Sequence, residues 1–451
     1  MNEVYKIVTH RQSKNLVCIP EELTTSRNIE YIAFGQKKYP CQLVTMNTLH
    51  NIISISEQLN EMLCIPFEGK IEPIIIGNTL QLGPLVGIFT AGFTESLLRP
   101  IGDRSFMFAN LIAENNQKNS YIFVFGTHGI DWESETIQGY FFTDKRWTKE
   151  VVPFPTVIYN RLPNRKIEVH KSIKRVRQKL EKEYKIPWFN PGFFNKWDLY
   201  LKLKNDDSVA HYLPKTVKFN NFDTIEELLS QYQFVYVKPE NGSLGSRVIL
   251  IRYQRDEEMY YCRYREFETN KLQKFSSLHS LINHVFRNIK LQDFIVQQGI
   301  PLIRYEHQPV DFRVHTNKDA SGNWQVTVIA AKIAGKGSTT THINNGGRVK
   351  TVEEIFGQEK AKRIHDKLST AALKISEALD RQVDGHIGEI GFDIGVDKDE
   401  TIWLFEANSK PGRSIFSNPN FQENDKQIKK LFLEYATHLS KHGNELEVSM
   451  K

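Results

Sequence analysis

Near the carboxyl end two apolar runs, HIGEIGFDIGV (His386–Val396) and TIWLFEANSKPG (Thr401–Gly412), are joined only by the polar tetrapeptide DKDE. Runs of this length and spacing read as the two strands of an antiparallel hairpin. Side chains alternate along a strand, so Ile390, Phe392, Ile394 and Val396 take one face. Glu389, Gly391, Asp393 and Gly395 take the other. In a regular second strand Glu406 and Asn408 share a face with Ile402 and Leu404, where another apolar residue would pack more cheaply. A two- or four-residue loop puts Val396 opposite Thr401, Gly391 opposite Glu406 and Glu389 opposite Asn408. Glu389, Asp393, Glu406 and Asn408 then converge, whereas a three-residue loop would separate them. Three carboxylates and an amide oxygen at close range suit a hard cation, and Mg²⁺ fits best. The plainer alternative is a hairpin with its polar residues on a wet face.

The rest of the chain alternates between strand-like and helix-like runs. Residues 1–82 carry short β-rich stretches such as EYIAFGQKKYPCQLVTM, broken by Gly, Pro and polar turns, which predicts a small β module. From LGPLVGIFTAG onward, strand Leu85–Thr90, helix DRSFMFANLIAENNQ and strand Tyr121–Gly126 form a βαβ unit, and Thr156–Tyr159 adds a strand. In KIEVHKSIKRVRQKLEKEYKIP, Val169, Ile173, Val176, Leu180 and Tyr184 recur at helical spacing beside a basic face, whose ordinary meaning is a solvated surface. The run EKAKRIHDKLSTAALKISEALD has a cleaner stripe of Ile364, Leu368, Ala371, Ile375 and Leu379 and predicts a long amphipathic helix.

Composition narrows the function classes. With 451 residues, 40% hydrophobic and 25% charged, the chain has material for about two to four folding units. A net charge of +6 permits an anionic substrate without pointing to nucleic acid. No run approaches ~20 continuous apolar residues, so no membrane span is expected, and the opening MNEVYKIVTHRQSKN does not read as a signal peptide. Cys18, Cys41, Cys64 and Cys262 make no metal-binding spacing and read as reduced thiols of a cytoplasmic protein.

A metal site raises the question of phosphate. FVYVKPENGSLGSRVILI (Phe234–Ile251) holds two apolar strands around a loop with Gly242, Ser243, Gly245 and Ser246, and Lys238 closes the first strand. Glycines let backbone amides approach an anion and serines add donors, although such a loop is often only a flexible turn. The P-loop pattern is absent.

Taken in order, Lys196 in NKWDLYLKL, LPKT, Lys238 with its loop, FIVQQGIPL, DFRVHT, NNGGR and the acidic hairpin resemble the ATP-grasp superfamily over residues 186–435. LGPLVGI, PFPTVIYNRLPNR and FIVQQGIPL extend the likeness to the YheC/YheD group of endospore coat-associated ATP-grasp proteins, and to its longer, YheD-like members in particular. The resemblance implies an α/β (α+β) chain. It would comprise the N-terminal β module (1–82), a Rossmann-like pre-ATP-grasp domain (83–185) and a two-subdomain ATP-grasp fold (186–445) whose lid spans 213–300.

It also implies roles. Lys196 and Lys238 would hold ATP phosphates under the Gly242, Ser243, Gly245 and Ser246 loop. Gln297, Gln298, Gly299 and Ile300 would form the adenine hinge, largely through backbone groups. Asp393, Glu406 and Asn408 would bind Mg²⁺, with Glu389 a further candidate, and Arg313 would face the transferred phosphate. Lys332 stands where such ligases carry an arginine, which keeps the charge but loses the bidentate fork. The function implied is an ATP- and Mg²⁺-dependent ligase joining small carboxylate and amine substrates, amino acids or peptides, through an acylphosphate. Spore coat proteins would be its partners. The competing readings are a structural coat protein that binds nucleotide and a small-molecule kinase. No dedicated nucleophile is evident, and His386 reads as structural.

Overall fold

Alternating burial along YKIVTH and IISIS turns Tyr5, Ile7, Ile53 and Ile55 inward, and these runs pair in parallel as strands Tyr5–His10 and Ile52–Ser56. They lie in a five-stranded sheet with Leu16–Ile19, Gln42–Thr45 and Lys70–Ile71. A four-stranded sheet built on Tyr31–Phe34 and Thr79–Gln81 completes the β-rich start of the chain. The structure, a computed structural model, describes every residue except 1–2, 12–14, 24–28, 48–49, 117–119, 243–246, 267–268, 288, 290, 342–345 and 450–451, together with the side chains of residues 116 and 443–449.

One apolar core runs from these sheets into the next layer and contains Ile32, Phe34 and Ile55 together with Phe89, Phe123, Phe141 and Trp188. Here the βαβ unit forms as its pattern predicts. Leu85–Phe89 runs parallel to Tyr121–Phe125, with helix Ser105–Asn116 between them in sequence. Val157–Asn160 lies parallel on the other side of Leu85–Phe89. The strand expected from Thr156 begins one residue later, because the Thr156 hydroxyl is engaged with both the N–H and the C=O of Leu85. The hairpin Thr136–Thr143/Arg146–Pro153 escaped the sequence reading. Its two turn residues, Asp144 and Lys145, both take positive φ (50° and 60°), a turn normally announced by Asn-Gly or Asp-Gly.

The basic helix is shorter than its stripe suggests. His170 caps a fresh start, so the helix proper is Lys171–Gln178, continued by one wider turn. Ile173, Val176 and Leu180 are buried, but Val169 lies before the cap and is 59% exposed.

Two antiparallel sheets follow. The first has six strands in the order Thr216–Lys218, Phe294–Gln298, Phe234–Pro239, Ile249–Gln254, Met259–Glu266 and Thr269–Phe275. Helices Asp223–Gln231 and Leu278–Val285 cover one of its faces. The second runs Arg348–Lys350, Trp324–Ile333, Gln308–Lys318, Glu389–Val396 and Ile402–Asn408. Helix Gln358–Gln382 lies on it, burying Ile364, Leu368, Ala371, Ile375 and Leu379 completely. The last helix, Gln422–Ser449, returns to the parallel sheet and places Phe432 against Tyr159 and Tyr435 against Phe189. Among the described residues no helix is long and apolar enough to cross a membrane.

Candidate active site between two antiparallel sheets

The facing surfaces of the two antiparallel sheets enclose a cleft of about 990 Å³, open mouth included. Lys196, Lys238, Lys332, Asp393 and Glu406 all line it. Lys196 opens helix Lys196–Lys204, whose first turn is held by the Asn195 side chain accepting from Trp197 and Asp198 N–H. Its Nζ donates to Gly242 O at 2.6 Å and lies 3.4 Å from Glu406 Oε1. Lys238 sits near the end of Phe234–Pro239 and donates to Gln297 Oε1 (2.8 Å) and Phe405 O (3.3 Å). Burial, helped by Lys196, lowers its pKa to about 8 against the pull of Glu406 and Asp393.

Lys332 faces Asp311 across one ladder, and Arg313 faces Asp393 across the next. The Lys332 ammonium lies 2.8 Å from Asp393 Oδ1 and 3.1 Å from Asp311 Oδ1. Arg313 Nε is 3.5 Å from the same Asp393 oxygen. Thr341 donates to Asp311 Oδ2 at 2.6 Å. Burial alone would lower the Lys332 pKa, but Asp311 and Asp393 outweigh it and push it up, so this buried lysine is held charged.

The acidic hairpin departs from the expected register. Asp393 pairs with Glu406 and Gly391 with Asn408, while Val396 pairs with Ile402. The connection therefore spans five residues, 397–401, an odd number that by itself would turn Glu406 and Asn408 towards the core. A bulge at Phe405 reverses the phase again. Ile402, Leu404 and Ala407 join the core, whereas Phe405 and Glu406 both border the cleft. Deleting Phe405 should accordingly leave a continuous ladder with Asp393 still opposite Glu406, while removing the carbonyl that holds Lys238. The deletion variant should give a folded circular-dichroism spectrum and weakened nucleotide-induced stabilisation. A deletion variant that cannot fold would show that the bulge does more than re-aim side chains.

Glu389 does not join Asp393. Its carboxylate accepts from the Tyr159 hydroxyl and from Arg161 Nη1 at 3.0 Å, tying the hairpin to the parallel sheet. The four-member cluster thus reduces to two facing carboxylates and Asn408. Among the described residues no three His, Cys, Asp or Glu side chains gather as a metal site.

The hinge divides in the same way. Gln297 and Ile300 line the cleft. The amides of Gln298 and Gly299 are already donated to Lys215 O and Phe234 O, so they offer no N–H to a ligand. Gln298 Oε1 accepts from Lys215 N–H, on the outer side of the segment. Gly242 borders the cleft, but Ser243, Gly245 and Ser246, like Asn344 and Asn345 of NNGGR, lie outside the described residues. His386 is buried, and its carbonyl accepts from Asn190 N–H.

Asp311, Tyr236 and Thr339–Thr341 also line the cleft without having been singled out. Asp311 was within reach of strand alternation, since it lies two residues before Arg313 and on the same face.

A family model for YheC/D-like ATP-grasp proteins matches residues 185–439. The chain is 41% identical over 432 residues to the endospore coat-associated protein YheD of Bacillus subtilis (strain 168), covering 95% of each chain. It is 24% identical over 271 residues to YheC of the same organism, covering 59% of this chain and 73% of YheC. Among solved structures, a D-alanine–D-alanine ligase from Bacillus anthracis aligns with 81% of this chain and 100% of its own, at 12% identity and a TM-score of 0.47. The ordered motifs, the family model and the 41% identity to YheD agree: the chain belongs to the YheC/D-like ATP-grasp family.

Proposed function

We propose that the chain is an ATP- and Mg²⁺-dependent carboxylate–amine ligase that makes an amide or peptide bond through an acylphosphate. The observation that carries this reading is the gathering of Lys196, Lys238 and Lys332 with Asp393 and Glu406 in one cleft. Lys332 is matched by Asp311 and Asp393 and Lys196 by Glu406, whereas buried Lys238 touches only the neutral oxygens of Gln297 and Phe405. Its depressed pKa, caused first by burial, marks a cation that an anionic ligand would compensate.

On this reading Lys196 and Lys238 hold the nucleotide's phosphates, the Gly242–Ser246 loop covers them, and Gln297 and Ile300 border the base. Asp393, Glu406 and Asn408 supply the oxygen donors for Mg²⁺, a set suited to a hard cation. When bound, the metal would neutralise charge on the phosphate oxygens. Arg313 and Lys332 face the phosphoryl group in transfer. A substrate carboxylate oxygen attacks the γ-phosphorus and ADP leaves; an amine then attacks the acyl carbon and phosphate leaves. The protein contributes position and charge rather than a nucleophile of its own. By kinship with coat-associated relatives, we place this activity in the cytoplasm during sporulation or at the endospore coat, with coat proteins as partners.

Mg²⁺ with a non-hydrolysable ATP analogue should raise the melting temperature by linkage, and Lys238→Met should abolish the rise. Because the charged form of Lys238 is the one that meets phosphate, the rise should shrink as pH passes above about 8 in wild type. No shift at saturating nucleotide would refute the ATP site. With hydrolysable ATP, phosphate release should require both a carboxylic acid and an amine. A stable phosphorylated product would indicate a kinase instead, and no product at all a purely structural role.

A further inference from the structure

Beside the cleft, a second group of basic side chains converges on Gly391. This glycine lies two residues before Asp393 on the same face of the strand. A Cβ there would stand 2.6 Å from Pro411 Cβ, 3.2 Å from Arg313 Nη1 and 3.4 Å from His315 Nε2. The Arg313 guanidinium and the His315 imidazole thus both come up to the bare backbone of Gly391, with Pro411 packed closely beside it. His315 faces Gly391 across the ladder as Arg313 faces Asp393, and it is 2% exposed. Arg313 Nη1 and His315 Nε2 are both buried without a hydrogen-bond partner among the described residues. Buried polar groups are seldom left so, and a guanidinium donor beside an unpartnered imidazole nitrogen points to a missing polar partner.

More positive charge stands behind them. Arg413 follows the hairpin and Arg161 follows strand Val157–Asn160, and both lie within electrostatic range of His315. Each has a carboxylate of its own, Arg413 on Asp425 Oδ1 at 3.0 Å and Arg161 on Glu389 Oε1 at 3.0 Å. Arg313 has only a share of Asp393, at 3.5 Å, where Lys332 is closer. The parallel sheet adds a reason for a ligand here. Tyr121–Phe125 and Val157–Asn160 flank Leu85–Phe89 on opposite sides, so the chain reverses direction across the sheet between Leu85–Phe89 and Val157–Asn160. Ligands of open parallel sheets sit at the carboxyl ends of strands at such a point, which is where Arg161 emerges.

We propose that the face of Gly391 beside Arg313 and His315, with Arg413 behind them, receives a second anionic group of the carboxylate substrate. That substrate is then a dicarboxylate, such as an acidic amino acid or a peptide ending in one. Two residues of strand separate Gly391 from Asp393, roughly 7 Å, which suits a small molecule with one carboxylate at each end. An incoming carboxylate can accept from Arg313 Nη1, a charge-assisted bond, and from His315 Nε2 in the tautomer that carries its proton there. The inference rests on the ligase reading above and adds the class of its acid substrate.

The test is calorimetric titration of full-length protein, saturated with Mg²⁺ and a non-hydrolysable ATP analogue, with L-glutamate, L-glutamine and L-isoglutamine. Glutamate should bind at least tenfold more tightly than either monoamide. His315→Leu and Arg413→Gln should each remove that preference while keeping the wild-type nucleotide-induced rise in melting temperature. Arg413→Gln should remain folded, because Asp425 keeps Lys429 at 2.7 Å. Equal affinities for the three ligands would overturn the proposal, as would an undiminished glutamate preference in both variants. So would a protein that binds nucleotide but none of the three, and in that case the ATP site stands. A wild-type protein that binds no nucleotide removes the ligase reading and this inference together.

Discussion

Replacing Lys332 with alanine should cost about 3–5 kcal/mol of folding stability, the scale for removing one partner of a buried ion pair. The residue is 6% exposed and lies between Asp311 and Asp393 in the wall of the cleft, so its loss leaves two largely buried carboxylates without their nearest cation. Lys332→Arg keeps the charge but forces a longer, planar group into a filled slot. It should fold with a smaller loss, about 1–3 kcal/mol. Under conditions where the alanine variant is still folded, turnover should fall about 10²–10³-fold, the scale of losing one charged donor to a transition state. Denaturant melts and steady-state rates on the same samples separate the two effects. A melt for the alanine variant that overlays wild type would mean that the Lys332–Asp311–Asp393 contacts contribute nothing to folding.

Asp393 and Glu406 should behave as one unit. They face each other across the hairpin, and in the proposed mechanism they hold the same metal ion. Asp393→Asn and Glu406→Gln should each lower turnover about 10²–10³-fold, and the double variant should be little worse than the weaker single one. Both singles should also require more Mg²⁺ for half-maximal rate. Folding should suffer less than in the Lys332 variant, because Lys332 keeps Asp311 when Asp393 is neutralised, and Lys196 keeps Gly242 O when Glu406 is. Losses that simply multiply would separate the two carboxylates functionally.

Some of this architecture was legible in the residues and some was not, for reasons of range. The stripe Ile364, Leu368, Ala371, Ile375 and Leu379 announced its helix, because a periodic apolar face is a local signal. The parallel pairing of Leu85–Phe89 with Tyr121–Phe125 followed from strand, helix and strand lengths alone. The hairpin face came out with the right residues by a wrong route. Alternation put Asp393, Glu406 and Asn408 on one face through an even loop with Gly391 opposite Glu406, whereas the molecule puts them on one face with Asp393 opposite Glu406, through an odd loop and a bulge. A bulge leaves no mark in composition, since Phe405 is as apolar as its neighbours. Glu389 was misplaced because Tyr159 and Arg161, which claim it, lie 230 and 228 positions away. The burial of Lys332 was likewise invisible, because it depends on two carboxylates from other strands.

The return of the final helix to the parallel sheet has a consequence for the order in which the chain can mature on the ribosome. The sheet's last strand ends at Phe189, but the helix that covers Tyr159 and Phe189 begins only at Gln422. At ~5–20 residues per second, translation leaves this aromatic face without its cover for roughly 10–50 s. During that time both antiparallel sheets emerge, so the nascent chain must carry a half-finished domain through the synthesis of another. A chain stopped before Gln422 would keep every residue that lines the cleft, yet it would expose Tyr159 and Phe189 to chaperones and to its own copies.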